Sequence, residues 1–266
     1  MQNENAKIII LGVGKSVADV LRELTRSNIN GADFAFTSMN NSVVDYYVDV
    51  PVKFHVSDLD ECERIVKEKF SDTDMMFVIV RAHEADELSL AAEIAKNARE
   101  NGILTVGLVM FNFIFNEFAE FYRSFKSHFD AVFMFHTHTN MRRKFHYAII
   151  ECISDLITKA GCVNLDFADV KAILQEAGRC SFSRVYSGGC NRALNAAREA
   201  VHDINLEGAK TILVNITTGS EVTLGEMYDA VRAIADSAAD AQVVWGHVIN
   251  DELDDEFRIS LIAVKK

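Results

Sequence analysis

Three groups of residues in this chain have the types and spacing to do chemistry. Asn164, Asp166 and Asp169 place an amide and two carboxylates within six positions, just ahead of an apolar-periodic stretch. Read from the residues alone, acids three apart at a helix start serve as a cap or a dipole partner, accepting backbone N–H groups that lack intrahelical acceptors. Gly12-Val13-Gly14-Lys15-Ser16 follows a β-branched run and offers two bare backbone positions next to a cation, which is where a phosphate would be held. A Walker-type loop needs a glycine five residues before Gly14, where Ile9 stands, and G-x-G-x-x-G fails because Val17 takes the third glycine's place. The residues themselves therefore support a plain strand-to-helix turn as readily as a phosphate seat. Arg142-Arg143-Lys144 would suit an anionic ligand or a partner's acidic surface, or would be a solvated helix face. His136-Thr137-His138, with His128 and His146 in the same region of sequence, has no nearby carboxylates and is a weak pattern for a metal, so no metal is expected. No Ser–His–Asp or Cys–His arrangement stands out.

The elements that must position these residues follow from hydrophobic periodicity. Lys7–Leu11, Asp33–Ser38, Met75–Val80, Ile103–Met110 and Ala131–Phe135 are short apolar runs that predict strands. Helical spacing separates them, at Val17–Leu24, Asp58–Phe70 and Leu88–Arg99, and in a stripe of Phe118, Phe121, Phe125 and Phe129. Fully apolar strands alternating with helices indicate a parallel sheet covered on both faces. Val43–Val50 reads as an edge segment before the only proline, Pro51.

From Arg142 to Lys159 one helical pattern runs unbroken, and the rhythm then changes. Helices are predicted at Phe167–Ala177, Ala193–Asp203 and Leu224–Ser237, and strands at Cys180–Tyr186, Lys210–Ile216, Gln242–Ile249 and Phe257–Val264. The acidic turn Asn250–Glu256 suggests that the last two strands form a β-hairpin in a mixed sheet. The expected class is α/β, with a doubly wound Rossmann-like domain over 1–140, a long connecting helix over 141–160 and a mixed-sheet α+β domain over 161–266.

The bulk composition narrows the function classes. The chain has 266 residues, 49 % hydrophobic and 25 % charged, the balance of an ordinary folded domain. A formal net charge of −12 argues against sequence-independent nucleic-acid binding and against docking on anionic membranes. Five cysteines without a C-x-x-C pair read as reduced thiols, and the polar start Met1–Asn5 lacks an apolar signal stretch, so a cytoplasmic location is expected.

The second half carries motifs that go beyond pattern. Ile153-Ser154-Asp155-Leu156-Ile157-Thr158-Lys159 runs into Gly161 and then Asn164-Leu165-Asp166-Phe167-Ala168-Asp169-Val170. Leu213-Val214-Asn215-Ile216-Thr217 and Thr223-Leu224 follow in order. This resembles the tubulin/FtsZ superfamily, covering about residues 7–264 and strongest from about 145 onward. The resemblance implies a loop, carrying Asn164, Asp166 and Asp169, that reaches the nucleotide pocket of the next subunit in a filament and helps position the attacking water.

In the first half the same resemblance implies a frame that has lost its chemistry. Of the family's glycine-rich phosphate loop, G-x-G-G-G-G-G-N, only Gly12 and Gly14 remain, with Lys15, Ser16, Val17 and Ala18 at glycine positions and Asp19 in place of the asparagine. Cβ atoms obstruct the close backbone approach that glycine permits. Arg81-Ala82-His83-Glu84-Ala85-Asp86 replaces the G-G-G-T-G-T-G signature, about three residues shorter, and Met110-Phe111-Asn112-Phe113 replaces T-x-P-F. The asparagine–aspartate pair of the family's central helix falls on Arg143 and Lys144, and a lysine cannot accept the N–H donors of guanine.

The expectation is therefore an FtsZ-like assembly partner or filament modulator, not an autonomous GTPase. It needs no cofactor, and its partner is another FtsZ-like subunit, a second copy or a paralogue. If the chain is complete at Lys266, it lacks the tail by which the family recruits membrane adaptors, and no direct membrane binding is expected. Two alternatives stay open. One is a divergent GTPase that still holds GTP or GDP through Gly12, Gly14 and the rebuilt loop. The other is a repurposed pocket in which Lys15, Arg81 and Arg143, with Lys144 beside them, hold a different anion.

Overall fold

The computed structural model describes residues 6–27, 29–46, 49–82, 84–111, 125–136, 144–238 and 240–265. The chain divides into two compact units, Met1–Ile150 and Glu151–Lys266, and the division falls inside the helix Phe145–Thr158.

In the first unit the unbroken apolar runs become parallel strands, as their two-sided burial requires. They are β1 (Ile8–Val13), β2 (Ala32–Ser38), β3 (Val52–His55), β4 (Met75–Arg81), β5 (Leu104–Phe111) and β6 (Ala131–His136), in the order β3-β2-β1-β4-β5-β6. Every residue of β1 is buried, as are the first six of β4. The described helices of this unit that connect strands are α1 (Ala18–Arg26), α2 (Asn41–Tyr46), α3 (Cys62–Lys69) and α4 (Ala85–Glu100). Phe125 and Phe129 of the phenylalanine stripe are buried, and Phe129 lies so close to Gly107 of β5 that a Cβ there would sit 3.1 Å from its ring. Phe118 and Phe121 lie outside the described residues. Strand order reverses between β1 and β4, so the carboxyl ends of these two strands part and leave the crevice where ligands of doubly wound sheets bind.

The 43–50 segment corrects the sequence reading. Asn41–Tyr46 is a helix, and the edge strand is β3, which begins directly after Pro51. The local reason is a side-chain cap. Asn40 Oδ1 accepts the Ser42 N–H (3.1 Å) and Ser42 Oγ (2.7 Å), and this cap, with burial of Val43 and Val44, outweighs their strand propensity. Pro51 precedes an edge strand, where its missing N–H costs no ladder bond.

The second unit takes the last part of α5 (Phe145–Thr158). It continues with α6 (Phe167–Leu174), β7 (Gly178–Ser187), α7 (Arg192–His202), β8 (Thr211–Thr218), α8 (Leu224–Ser237), β9 (Gln242–Ile249) and β10 (Phe257–Val264). The sheet is mixed, as expected, but the last two strands are not a hairpin. The order is β7-β10-β8-β9, with β10 antiparallel to β7 and β8, and β9 parallel to β8. All eight residues of β10 are buried, so the strand needs a neighbour on each edge, whereas β9 has exposed ends. The 250–256 connection passes over Gly219, where a Cβ would lie 2.6 Å from the Asp254 carbonyl oxygen.

A buried ionic network joins α5 to this sheet. Glu151 Oε2 accepts from Arg184 Nη1 (2.5 Å) and Arg258 Nη1 (3.2 Å), and Arg258 Nη2 also reaches Thr217 Oγ1 (3.0 Å). Asp155 accepts from Lys159 (2.9 Å). Burial raises the Asp155 carboxyl and Lys159 opposes it.

Candidate functional site

The β1–α1 turn lies at the parting of β1 and β4. Gly14 has φ +85° and donates its N–H to the Thr37 carbonyl (2.8 Å), turning the chain across the end of β2. Lys15 and Ser16 then point polar groups inward, and the acceptor they meet is Glu87. Its carboxyl takes the Lys15 N–H on Oε1 (2.8 Å) and the Ser16 hydroxyl on Oε2 (3.0 Å). Glu87 comes from the first turn of α4, where a carboxylate is favoured by the helix dipole, and it is 5 % exposed. A Cβ on Gly14 would overlap this carboxyl, so glycine is required here both for its φ and for space. Burial pushes Glu87 up to about 7; the bonds from Ser16 and Lys15 oppose the rise and neighbouring Glu84 adds to it. In either protonation state a carboxyl oxygen sits where the backbone N–H of the turn would meet a bound anion.

The cations singled out from sequence face acids of α1. Arg81, at the end of β4, reaches Asp19 in the first turn of α1 (3.2 Å), and Lys144 reaches Glu23 (2.5 Å). The Lys144 pair is largely exposed and worth little. Lys144 itself has φ +47°. Gly12 closes β1 against Val17 and Leu21, at 3.3 and 3.0 Å from the Cβ it lacks. The structure thus brings Gly12, Gly14, Lys15 and Arg81 to the first turn of α1 and Lys144 to its second. Arg143 lies outside the described residues, as do His83, Asn112 and Phe113.

His146, in the first turn of α5, is 1 % exposed, and neither ring nitrogen has a hydrogen-bond partner among the described residues. Burial is the main cause that drives it down to about 4; Glu23 and Asp19 oppose the fall while Lys144 and Arg81 assist it. Of the H-x-H pair, His136 packs edge-on against Phe111 (5.5 Å), and His138 lies outside the described residues. Among the described residues no group of His, Cys, Asp or Glu is placed to hold a metal.

In the second unit, Asp166 and Asp169 form a capping box on α6. Asp166 Oδ1 accepts the Asp169 N–H (2.8 Å) and Asp169 Oδ2 accepts the Asp166 N–H (3.2 Å). The cap uses one oxygen of each carboxylate, and both residues are exposed. Asn164, also exposed, turns back so that its Oδ1 accepts the Gly161 N–H (2.8 Å). The three residues therefore share one exposed loop and helix start, separate from the β1–α1 turn, which belongs to the other unit.

Sequence reasoning missed two residues that shape these loops, Glu87 and His247. Each touches its loop only through tertiary structure: Glu87 lies 72 positions from Lys15, and His247 lies 85 positions from Cys162. The one available hint was an acid in the first turn of the helix that follows the rebuilt loop.

Residues 185–265 match the FtsZ family, C-terminal domain. The cell division protein FtsZ of Coxiella burnetii (strain RSA 493 / Nine Mile phase I) is 28 % identical over 306 residues, spanning 98 % of this chain and 79 % of that protein. Among solved structures, an empty FtsZ dimer from M. jannaschii superposes with a TM-score of 0.82 at 20 % identity, covering 99 % of this chain and 89 % of that one. CetZ1 from Haloferax volcanii, a GDP-bound monomer, gives 0.71 at 13 % identity, covering 98 % and 94 %. At those identities the structural matches speak for the fold.

Proposed function

We propose that this chain, an FtsZ-like member of the tubulin/FtsZ superfamily, is a pseudo-GTPase that joins an FtsZ-type assembly and presents Asn164, Asp166 and Asp169 to a neighbouring subunit. One observation carries the reading. The Glu87 carboxyl already occupies the turn in which the family holds phosphate, taking the Lys15 N–H and the Ser16 hydroxyl and filling the space beside Gly14. A phosphate would have to displace a buried group that is hydrogen-bonded in place. Asp19 beside the same turn adds repulsion, and its partner Arg81 is engaged with it. A lysine at 144 offers no acceptor for guanine.

The donated half has kept what the receiving half has lost. The capping box engages one oxygen of Asp166 and one of Asp169, and both residues are exposed, the disposition an in-trans contribution needs. The FtsZ from M. jannaschii was solved as a dimer, which fits association with a second copy or a paralogue. The competing reading, a GTPase that still turns over nucleotide, requires Glu87 to leave its seat.

The test is direct. Protein purified without added nucleotide, denatured and chromatographed, releases no guanine nucleotide, and calorimetry with GTP or GDP up to millimolar concentration gives no binding heat. Added to an intact FtsZ-type GTPase, the wild type alters turnover, and the D166A/D169A double variant does not. Micromolar nucleotide binding would sink the pseudo-GTPase reading. A double variant as active on the partner as the wild type would sink the in-trans role.

A further inference from the structure

We propose that His247 is the positioning residue of the exposed loop, holding residues 160–164 through its Nδ1 acceptor so that Asn164 and Asp166 are presented in one fixed geometry. The proposal rests on the functional reading above for what the loop is used for, but its structural content stands on separate observations.

His247 lies on β9, the edge strand of the second unit, and is 1 % exposed. Its Nδ1 accepts the backbone N–H of Cys162 (3.1 Å), and its Nε2 is 2.9 Å from Thr218 Oγ1. An amide N–H can only donate, so Nδ1 is unprotonated and the ring proton sits on Nε2. Thr218 then accepts from Nε2 and donates its own hydroxyl proton to the Gly219 carbonyl (2.8 Å). The directions of all three bonds are therefore set, and they agree only with a neutral imidazole in one tautomer. Burial lowers the affinity of this ring for a proton, which favours that neutral form.

The backbone of the same residue holds the loop a second time. The His247 N–H donates to the Val163 carbonyl (2.8 Å), and the Ile249 N–H to that of Ala160 (3.5 Å), so residues 160–163 run along the outer edge of β9. Gly161 lies on the His247 carbonyl so closely that any Cβ would overlap it. From there the Gly161 N–H fixes Asn164 Oδ1, and the chain enters the Asp166 cap. The path from sheet to loop tip thus runs from Thr218 through the imidazole to Cys162, and then through Gly161 to Asn164. A backbone clamp alone would leave the Cys162 N–H unpaired where the loop turns away from the strand; the side-chain acceptor closes that position.

Two near-isosteric variants of the full-length protein separate the imidazole's two ends. In H247N the amide oxygen takes the place of Nδ1 and still accepts from Cys162, but nothing reaches Thr218. In H247Q the amide nitrogen takes the place of Nε2 and still reaches Thr218, but the Cys162 N–H has no acceptor. Residue-resolved amide hydrogen exchange is measured on both, with GTPase turnover of an FtsZ-type partner as a second readout. Expected is Cys162 exchange within about threefold of wild type in H247N and about tenfold or more faster in H247Q, the loss of one part-buried hydrogen bond. The effect on the partner follows the same order. Equal protection of Cys162 in the two variants would overturn the proposal. So would uniform loss of protection throughout the second unit in both, which would mark His247 as general core. If exchange splits as expected while partner turnover ignores it, the positioning stands and the in-trans function fails.

Discussion

Glu87 and His146 are buried titratable groups in the same unit, and burial moves them in opposite directions. Glu87 rises from 4.5 to about 7, so the folded state holds a proton that the unfolded state has lost. Its contribution to stability is full below 4.5 and disappears as pH climbs to 7. His146 falls from 6.5 to about 4, so its contribution is present above 6.5 and is lost as pH drops toward 4. Each shift, at about 1.36 kcal/mol per pH unit, corresponds to about 3 kcal/mol at full effect. The two slopes oppose one another between 4.5 and 6.5 and mask each other in the wild type. Chemical denaturation across pH 4–8 should therefore show E87Q losing stability faster than wild type on acidification, and H146L losing it more slowly. Variants that both parallel the wild-type curve would show that neither group carries a shifted proton. The residue scale also separates two readings of one motif. Asp166 and Asp169 form a helix cap by geometry, as their three-residue spacing suggests without any family, and both residues stay exposed while capping.

At the scale of elements, strands obey apolar runs, and errors arise where a short polar interaction competes. Asn40 converts Val43-Val44 from expected strand to helix, and β10 inserts between β7 and β8 because a strand buried along its whole length cannot sit at an edge. Helix α5 is joined to this sheet by charge as well as by apolar packing. Glu151, 11 % exposed in its side chain, is shared by Arg184 and Arg258, whose side chains are 9 % and 5 % exposed. Replacing it with glutamine removes a countercharge shared by two buried guanidinium groups, Arg258 keeping Asp155 at 3.9 Å, at a cost of about 3 kcal/mol. Urea denaturation of E151Q followed at Trp245, which lies in the second unit, should show that loss. A change below about 0.5 kcal/mol would mean that the arginines are neutralised elsewhere.

At the scale of the molecule, the two loops of interest belong to different compact units, one holding the Glu87 carboxyl in its β1–α1 turn and the other with Asp166 and Asp169 exposed. A chain so divided is expected to contribute to an assembly without driving one. Sedimentation with magnesium and GTP should therefore give no nucleotide-dependent pellet for this chain alone. GTP-dependent sedimentation of the isolated protein would show that its own first unit still works as a nucleotide switch.

The class of fold, the order of the longer strands and helices and the position of the acidic loop were legible in the sequence, because these depend on local periodicity and contiguous motifs; the short helix Asn41–Tyr46 and the edge strand after it were not. Apolar runs such as Met75–Val80 and the amphipathic spacing of Leu224–Ser237 are readable within a window of a dozen residues. Tertiary structure alone decided what fills the β1–α1 turn, which tautomer clamps the loop, and which strand lies at the centre of the second sheet. Each of these depends on a partner far along the chain: Glu87 with Lys15, His247 with Cys162, β10 between β7 and β8. A hydrogen bond between residues 72 or 85 positions apart leaves no periodic trace in sequence, and only closure of the fold brings its two ends together.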